Sequence, residues 1–357
     1  MFQFQVRRQD FRQSRLVETT APDVPEGSVR LAIKLFALTA NNVTYAAMGE
    51  GQLGYYDFFP APEGWGHPPA WGFAVVESSR VEGITPGERF YGYFPLATHL
   101  DVMPVKLSPA GFYDGAAHRA VKSPIYNLYQ RTTADPAYVA AREAEQALFR
   151  PLYATGWWAA DYIQHGTPKP RSIVMSSASA KTALATAHQL KRLGADKLIA
   201  LTSPRNRDYV AGTGLFQSVH TYDDVPSLSV EAPAVFVDFL GRDDLTNAVH
   251  SALGPALVRS VMIGATEARP GGIALPKQTP GGVTPEFFFV PSYASKRLKE
   301  GGPQLGAAMR DDMRAFYAAS SAYVRPKQLT GAASIEPSWR HLVEGAVPPN
   351  EGLVIRM

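Results

Sequence analysis

Apolar and polar positions along this chain fall into two textures. Up to about residue 110, short apolar runs with partial alternation stand between Gly and Pro residues: "GSVRLAIKLFALT" (27–39), "WGFAVVESS" (71–79) and "GITPGERFYGYFP" (83–95). The last has a Pro-Gly turn ahead of an aromatic strand. That spacing predicts many short strands in a small barrel or rolled sheet. The alanine-rich stretch 135–166 has helical spacing instead, with Asp135 as N-cap before Pro136, a break at Pro151 and a resumption after Thr155. From 172 onward, apolar runs alternate with helical segments: "SIVMSS", a helix through Leu193 to Gly194, "KLIALTS", a helix near 205–213 and "SVHTY". "APAVFVDFLG", a helix over 243–253 and "VRSVMIGAT" continue the series. This is the pattern of a parallel, doubly wound α/β sheet buried on both faces. A Pro/Gly loop (269–286) and a helix over 303–323 come next. The closing strand in "EGLVIRM" has no place in a parallel sheet and is expected to return to the N-terminal β region.

Composition narrows the classes. The 357 residues have room for two domains, and 45% hydrophobic with 19% charged residues is a globular balance. A net charge of +3 with scattered basic residues suits a small anionic ligand and excludes nucleic acid as the partner. Zero cysteines rules out disulfides, zinc–thiolate sites and cysteine nucleophiles, and fits a cytoplasmic location. Neither a signal peptide nor a membrane span is expected, because no apolar h-region and no run of about 18 apolar residues occurs.

The bend in "VMSSASAKTA" carries the main chemical question. Ser176, Ser177, Ala178, Ser179, Ala180 and Lys181 stand where a dinucleotide-binding protein has glycines. Serine and alanine keep such a bend compact as long as no position needs a positive φ. The free N–H groups at the start of the following helix form an anion site whatever the side chains are. Ser176, Ser177, Ser179 and Thr182 add hydroxyls, and Lys181 adds a charge that must swing outward to leave room for a diphosphate. The same residues also read as a packed strand–helix turn that never held a phosphate.

The succession "GSVRLAIKLFALTANNVTYAAMG", "PPAWGFAVVESSRVEGITPGERFYGYFP", "SIVMSSASAKTALATAHQLKRLGADKLIALTS", "VFVDFLG" and "EGLVIRM" resembles the medium-chain dehydrogenase/reductase superfamily, in its zinc-free quinone oxidoreductase and enoyl reductase branch. The resemblance implies a GroES-like β-rich catalytic domain (1–130 and 324–357, with an insertion at 110–150) and a Rossmann domain (131–323). After the second strand of the nucleotide unit come Thr202, Ser203, Arg205 and Arg207, with Asp208 the first acid. Hydroxyl and basic groups at that point indicate NADP(H) rather than NAD, since arginine can meet a phosphate with two hydrogen bonds. Tyr222 falls where relatives have a tyrosine beside the 2′-phosphate. Phe239, Leu240 and Gly241 in "DFLG", and Gly264, Ala265 and Thr266 in "IGAT", end later strands along the same edge.

No metal is expected. "WGHPPAWGF" offers His67 without the Gly-His-Glu motif of the zinc-dependent branch, so His67 reads as a loop or lid histidine. By the resemblance, Tyr45 is the proton donor, with Asn41 and Asn42 as polarising amides. An unperturbed phenol is protonated at neutral pH and can donate. Asparagine pairs also cap turns and tyrosines also fill barrel cores, so that alternative stays open. The aromatic stretches 51–71 and 124–131 suit either a pocket for an apolar or aromatic small-molecule substrate or a homodimer contact. Lys296 and Arg297 read as a solvated helix start or as contacts to an acidic substrate group. The expected function is a zinc-independent NADPH-dependent reductase acting on an activated alkene, quinone or carbonyl. The alternatives are a non-catalytic NADPH-binding sensor and an auxiliary enoyl reductase of a biosynthetic pathway.

Overall fold

The computed structural model describes residues 1–51, 53–264 and 279–357. Among them the apolar runs from 172 onward form a six-stranded sheet. Its strands, in spatial order, are Ser218–Thr221, Lys197–Thr202, Ser172–Met175, Ala234–Asp238, Leu257–Met262 and Glu286–Phe287, and every neighbouring pair is parallel. Numbered by sequence, the order is 3-2-1-4-5-6, that of a Rossmann sheet. The central strands are buried along their whole length, as helices on both faces require.

A second sheet is built mainly from the N-terminal part. Its middle strands, Val29–Leu38, Pro69–Ser79 and Arg89–Pro95, are antiparallel. The closing strand Glu351–Arg356 does return to this region, pairing antiparallel with Val29–Leu38, while Arg325–Thr330 pairs parallel on its outer side. A three-stranded sheet of Ser14–Glu18, Phe2–Arg7 and Trp65–Gly66 completes the β structure.

The helices are α1 (Ala40–Ala47), α2 (Glu143–Gln164), α3 (Lys181–Arg192), α4 (Arg207–Gly212), α5 (Asp243–Leu253), α6 (Val290–Ala319) and α7 (Ile335–Val343). One core cluster joins Leu35, Phe73 and Tyr91 of the antiparallel sheet to α2, α3 and the parallel sheet. The ion pair of Arg89 with Glu143, 2.5 Å, ties the same parts together.

Three helix expectations are corrected. Asp135 caps no helix: its carboxylate accepts from Ala137 N, 3.0 Å, and pairs with Arg150, 2.5 Å. Pro151 breaks nothing, because α2 runs unbroken through it and packs along α3. The last long helix starts at Val290 rather than 303, and the Gly301-Gly302-Pro303 signal marks a kink with Gly302 at φ 64°. Of the Pro/Gly loop expected at 269–286, residues 269–278 lie outside the described residues. No helix among the described residues is long and apolar enough to cross a membrane.

Candidate active site

A cavity of about 1360 Å³ runs from the carboxyl edge of the parallel sheet to α1 and the antiparallel sheet. Pockets for a single drug-sized ligand occupy roughly 300–1,000 Å³, so this one has room for a dinucleotide and a second molecule.

On the nucleotide side, Ser176 is fully buried; its Oγ donates to Asp238 and accepts from Phe239 N and Leu240 N. It therefore joins two strands and does not line the cavity. Asp238 also holds the backbone N–H groups of Leu240 and Gly241. Burial raises its carboxyl above the usual carboxylate range, and those hydrogen bonds offset only part of that rise. Ser177 takes φ +46°, so the bend does need a left-handed residue, and the condition under which serine and alanine would serve without strain is not met. Ala178 packs against Ala200 and Val210, away from the cavity. Ser177, Ser179, Ala180, Lys181 and Thr182 do line it.

Lys181 opens α3, with Ala180 as N-cap. It is half-buried, its Nζ 3.5 Å from the Pro349 carbonyl. Burial pulls its ammonium down to about 8, against a small opposing effect of Glu351. The side chain thus swings toward the 344–349 loop, which forms the opposite wall.

At the end of the second strand the expected residues divide. Thr202 is fully buried behind the wall, and Arg207 is exposed outside the lining. Ser203, Arg205 and Tyr222 line the cavity. Arg205 is exposed, with one long contact, 3.4 Å, to the Gly345 carbonyl. The Ser203 hydroxyl is a buried polar atom with no partner. Asn206, which the sequence reading missed, joins Ser179 to this strand end at 3.0 Å. Phe239, Leu240 and Gly264 line the cavity, whereas Gly241 does not. Ala265 and Thr266 lie outside the described residues.

At the other end, Thr39 caps α1: its backbone N–H donates to Asn42 Oδ1, 2.7 Å, and its hydroxyl accepts from Asn41 N, 3.3 Å. Asn42 Nδ2 donates to the Pro69 carbonyl, 2.8 Å. Both ends of that amide are bound to backbone and Asn42 is off the lining, so the polarising role expected of it gives way to a structural one. Asn41 and Tyr45 line the cavity. The Tyr45 hydroxyl accepts from Trp71 Nε1, 3.2 Å. Burial, with a further contribution from Tyr126, pushes the Tyr45 phenol well up, so it keeps its proton. The two aromatic stretches meet here: the hydroxyls of Tyr55 and Tyr126 are 3.2 Å apart, and both side chains line the cavity.

The lining also includes Trp71 and Gln130, from the stretches 51–71 and 124–131 expected to wall a pocket, and Tyr91 and Arg150, which the sequence reading did not single out. The aromatics were legible as same-face positions in "WGF" and "FYGYF". The partners of Arg150 lie 15 and 20 residues away, too distant for local spacing to find. His67 is no lid: it is 3% exposed, with Nδ1 2.9 Å from the Phe4 carbonyl, and burial lowers its pKa. Arg297 binds Asp161 at 2.9 Å and Lys296 lies 3.9 Å from Glu300, both away from the cavity. Among the described residues no three His, Asp or Glu side chains converge as a metal site.

Solved structures share this architecture at low identity. CurA from Vibrio vulnificus in complex with NADPH is 12% identical, with a TM-score of 0.64 over 100% of this chain and 99% of that one. The CurK enoyl reductase is 12% identical, TM-score 0.61, over 100% and 99%. The quinone oxidoreductase of Thermus thermophilus, also solved with NADPH, is 18% identical, TM-score 0.58, over 100% of both chains. The fold is thus the GroES-like plus Rossmann architecture that these structures share. No curated protein matches the sequence. Residues 36–348, most of the chain, match the family described as "Protein of unknown function (DUF2855)", and the protein belongs to that family.

Proposed function

We propose that the protein is a zinc-independent, NADP(H)-dependent reductase that delivers hydride to an activated alkene, quinone or carbonyl compound. The observation that carries this reading is the continuous cavity connecting the strand ends at Ser177–Thr182 and Ser203–Arg205 with the Tyr45 hydroxyl. The residues present suit the coenzyme. The unpartnered Ser203 hydroxyl and the loosely held Arg205 supply donors that a 2′-phosphate would satisfy, with Tyr222 beside them. Lys181 and the backbone N–H groups opening α3 suit the diphosphate. When bound, the reduced nicotinamide would supply the hydride.

The chain's own contribution is binding, orientation and a proton. Trp71 donates to the Tyr45 oxygen, which leaves the phenolic proton free to point at a substrate oxygen that gains negative charge. The aromatic wall excludes water from that point and strengthens the interaction. Two measurements test the reading. NADPH at about 100 times its Kd should stabilise the fold by about 2.7 kcal/mol, whereas NADH at that concentration should give much less. The protein should then consume NADPH with an enone or quinone. NADPH binding without turnover across such a panel would favour the sensor reading, and no binding would remove both.

A further inference from the structure

Beyond the reacting end, the cavity wall continues as a chain of contacts. Trp71, bound to Tyr45, stacks on Tyr91 with ring centroids 5.6 Å apart and planes 14° apart. The Arg150 guanidinium lies 4.2 Å from the other ring of that stack, Tyr91. Arg150 Nη1 donates to Asp135 at 2.5 Å, and Nη2 donates to Gln130 Oε1 at 2.6 Å. Gln130 sits opposite Tyr91 in strand register, so the two share a sheet face.

The grip on Gln130 fixes which way its amide points. Arginine has donors and no acceptor, so the carboxamide oxygen must face Arg150 and the NH₂ must face away. That NH₂ has no partner among the described residues, and Gln130 lines the cavity. Tyr91, 5% exposed, adds a buried hydroxyl without a partner beside the half-buried Gln130. Charge at this end is already balanced, because Asp135 neutralises Arg150. A ligand carboxylate would lose its hydration without gaining an uncompensated cation, whereas a neutral acceptor would lose less.

We propose that Gln130, oriented by Arg150 and Asp135, is a specificity residue. It selects substrates with a planar aromatic body lying along Trp71 and Tyr91 and a neutral oxygen acceptor at the end remote from the reacting group. This rests on the reductase reading for the identity of the reacting end, but its test does not depend on turnover.

The test is a polarity swap. Gln130→Glu keeps an oxygen for Arg150 to bind and replaces the free donor by an acceptor. Four probes without an activated alkene would be titrated calorimetrically into the full chain: 4-(4-acetylphenyl)butan-2-one and its 4-methyl, 4-carboxylate and 4-amino analogues. The wild type should bind the acetyl probe about fivefold more tightly than the methyl probe, the size of one neutral hydrogen bond. That preference should fall to about unity in Gln130→Glu. A donor probe, the 4-amino analogue, should gain in the variant relative to methyl, which a merely structural role for Gln130 would not produce. Failure of the acetyl probe to bind, an unchanged preference in the variant, or tightest wild-type binding by the carboxylate would each overturn the proposal. If the preference swaps as stated while no enone or quinone consumes NADPH, the reductase reading falls and the specificity assignment stands.

Discussion

Lys181 illustrates how one side chain carries a structural cost and a binding function together. Its ammonium is held near 8 by burial, against 10.5 for an ordinary lysine. Between those pH values the unfolded chain binds more protons than the folded one, so stability rises with pH across that window. Below about 8 the full cost of the buried charge is present. Lys181→Met should therefore melt higher than the wild type at pH 7, and the gap should close between pH 8 and 10.5. A gap independent of pH would show that the charge is not the cause. Ser177 carries a cost of another kind, a left-handed backbone on a residue with a Cβ. Ser177→Ala and Ser177→Gly both remove the hydroxyl, so comparing them isolates the backbone term. The glycine variant should be the more stable by about 1 kcal/mol in urea unfolding. Tyr45→Phe keeps the ring packing with Tyr55 and Tyr93 and removes the proton. Turnover of a confirmed substrate at saturating NADPH should drop about 10²-fold or more, and full retention would remove the donor role. At this scale the sequence was partly legible. It picked out the turn, Arg205 and Tyr45, which line the cavity, and kept open the turn-capping role that Asn42 takes with Thr39, but carried no sign that Ser176 bonds to the frame, because its partner Asp238 lies on another strand.

At the scale of elements, α2 decides how the two sheets meet. It packs along α3 through Gly156, where an added Cβ would lie 2.7 Å from Thr186 N. The approach is backbone to helix, with no flexible side chain to yield. Gly156→Val should therefore cost about 2–3 kcal/mol of unfolding free energy, measured by chemical denaturation. A loss under about 0.5 kcal/mol would mean that the helices do not pack this closely. The helical spacing of 135–166 announced this element, yet its start and continuity were misread for a definite reason. An Asp-Pro pair and an internal proline are strong local stop and start signals. Here Asp135 is engaged by Arg150, and α2 is held through Pro151 by burial of Leu148, Leu152 and Tyr153 on its core face. The same competition explains α6, where a Gly-Gly-Pro run bends a helix instead of opening one.

For the whole molecule, alternation of apolar runs and helices was enough to predict the parallel sheet, because strands buried on both faces leave an unbroken apolar signature. The return of the last strand to the N-terminal sheet was legible because the apolar runs from 172 onward already fill the parallel sheet, but its parallel partner Arg325–Thr330 and the connecting α7 were not. The contacts across the cleft were not legible, since Lys181 meets Pro349 and Arg205 meets Gly345 only through tertiary packing. That convergence makes the nucleotide assignment testable in one calorimetric experiment, in which NADPH and NADH are titrated into the wild type and into Arg205→Ala. NADPH should bind the wild type at least about tenfold more tightly than NADH, and Arg205→Ala should erase that difference, as the loss of one charged phosphate contact requires. If the wild type does not bind NADPH, or if the variant binds it equally well, the reading of this cleft as an NADP(H) site is wrong.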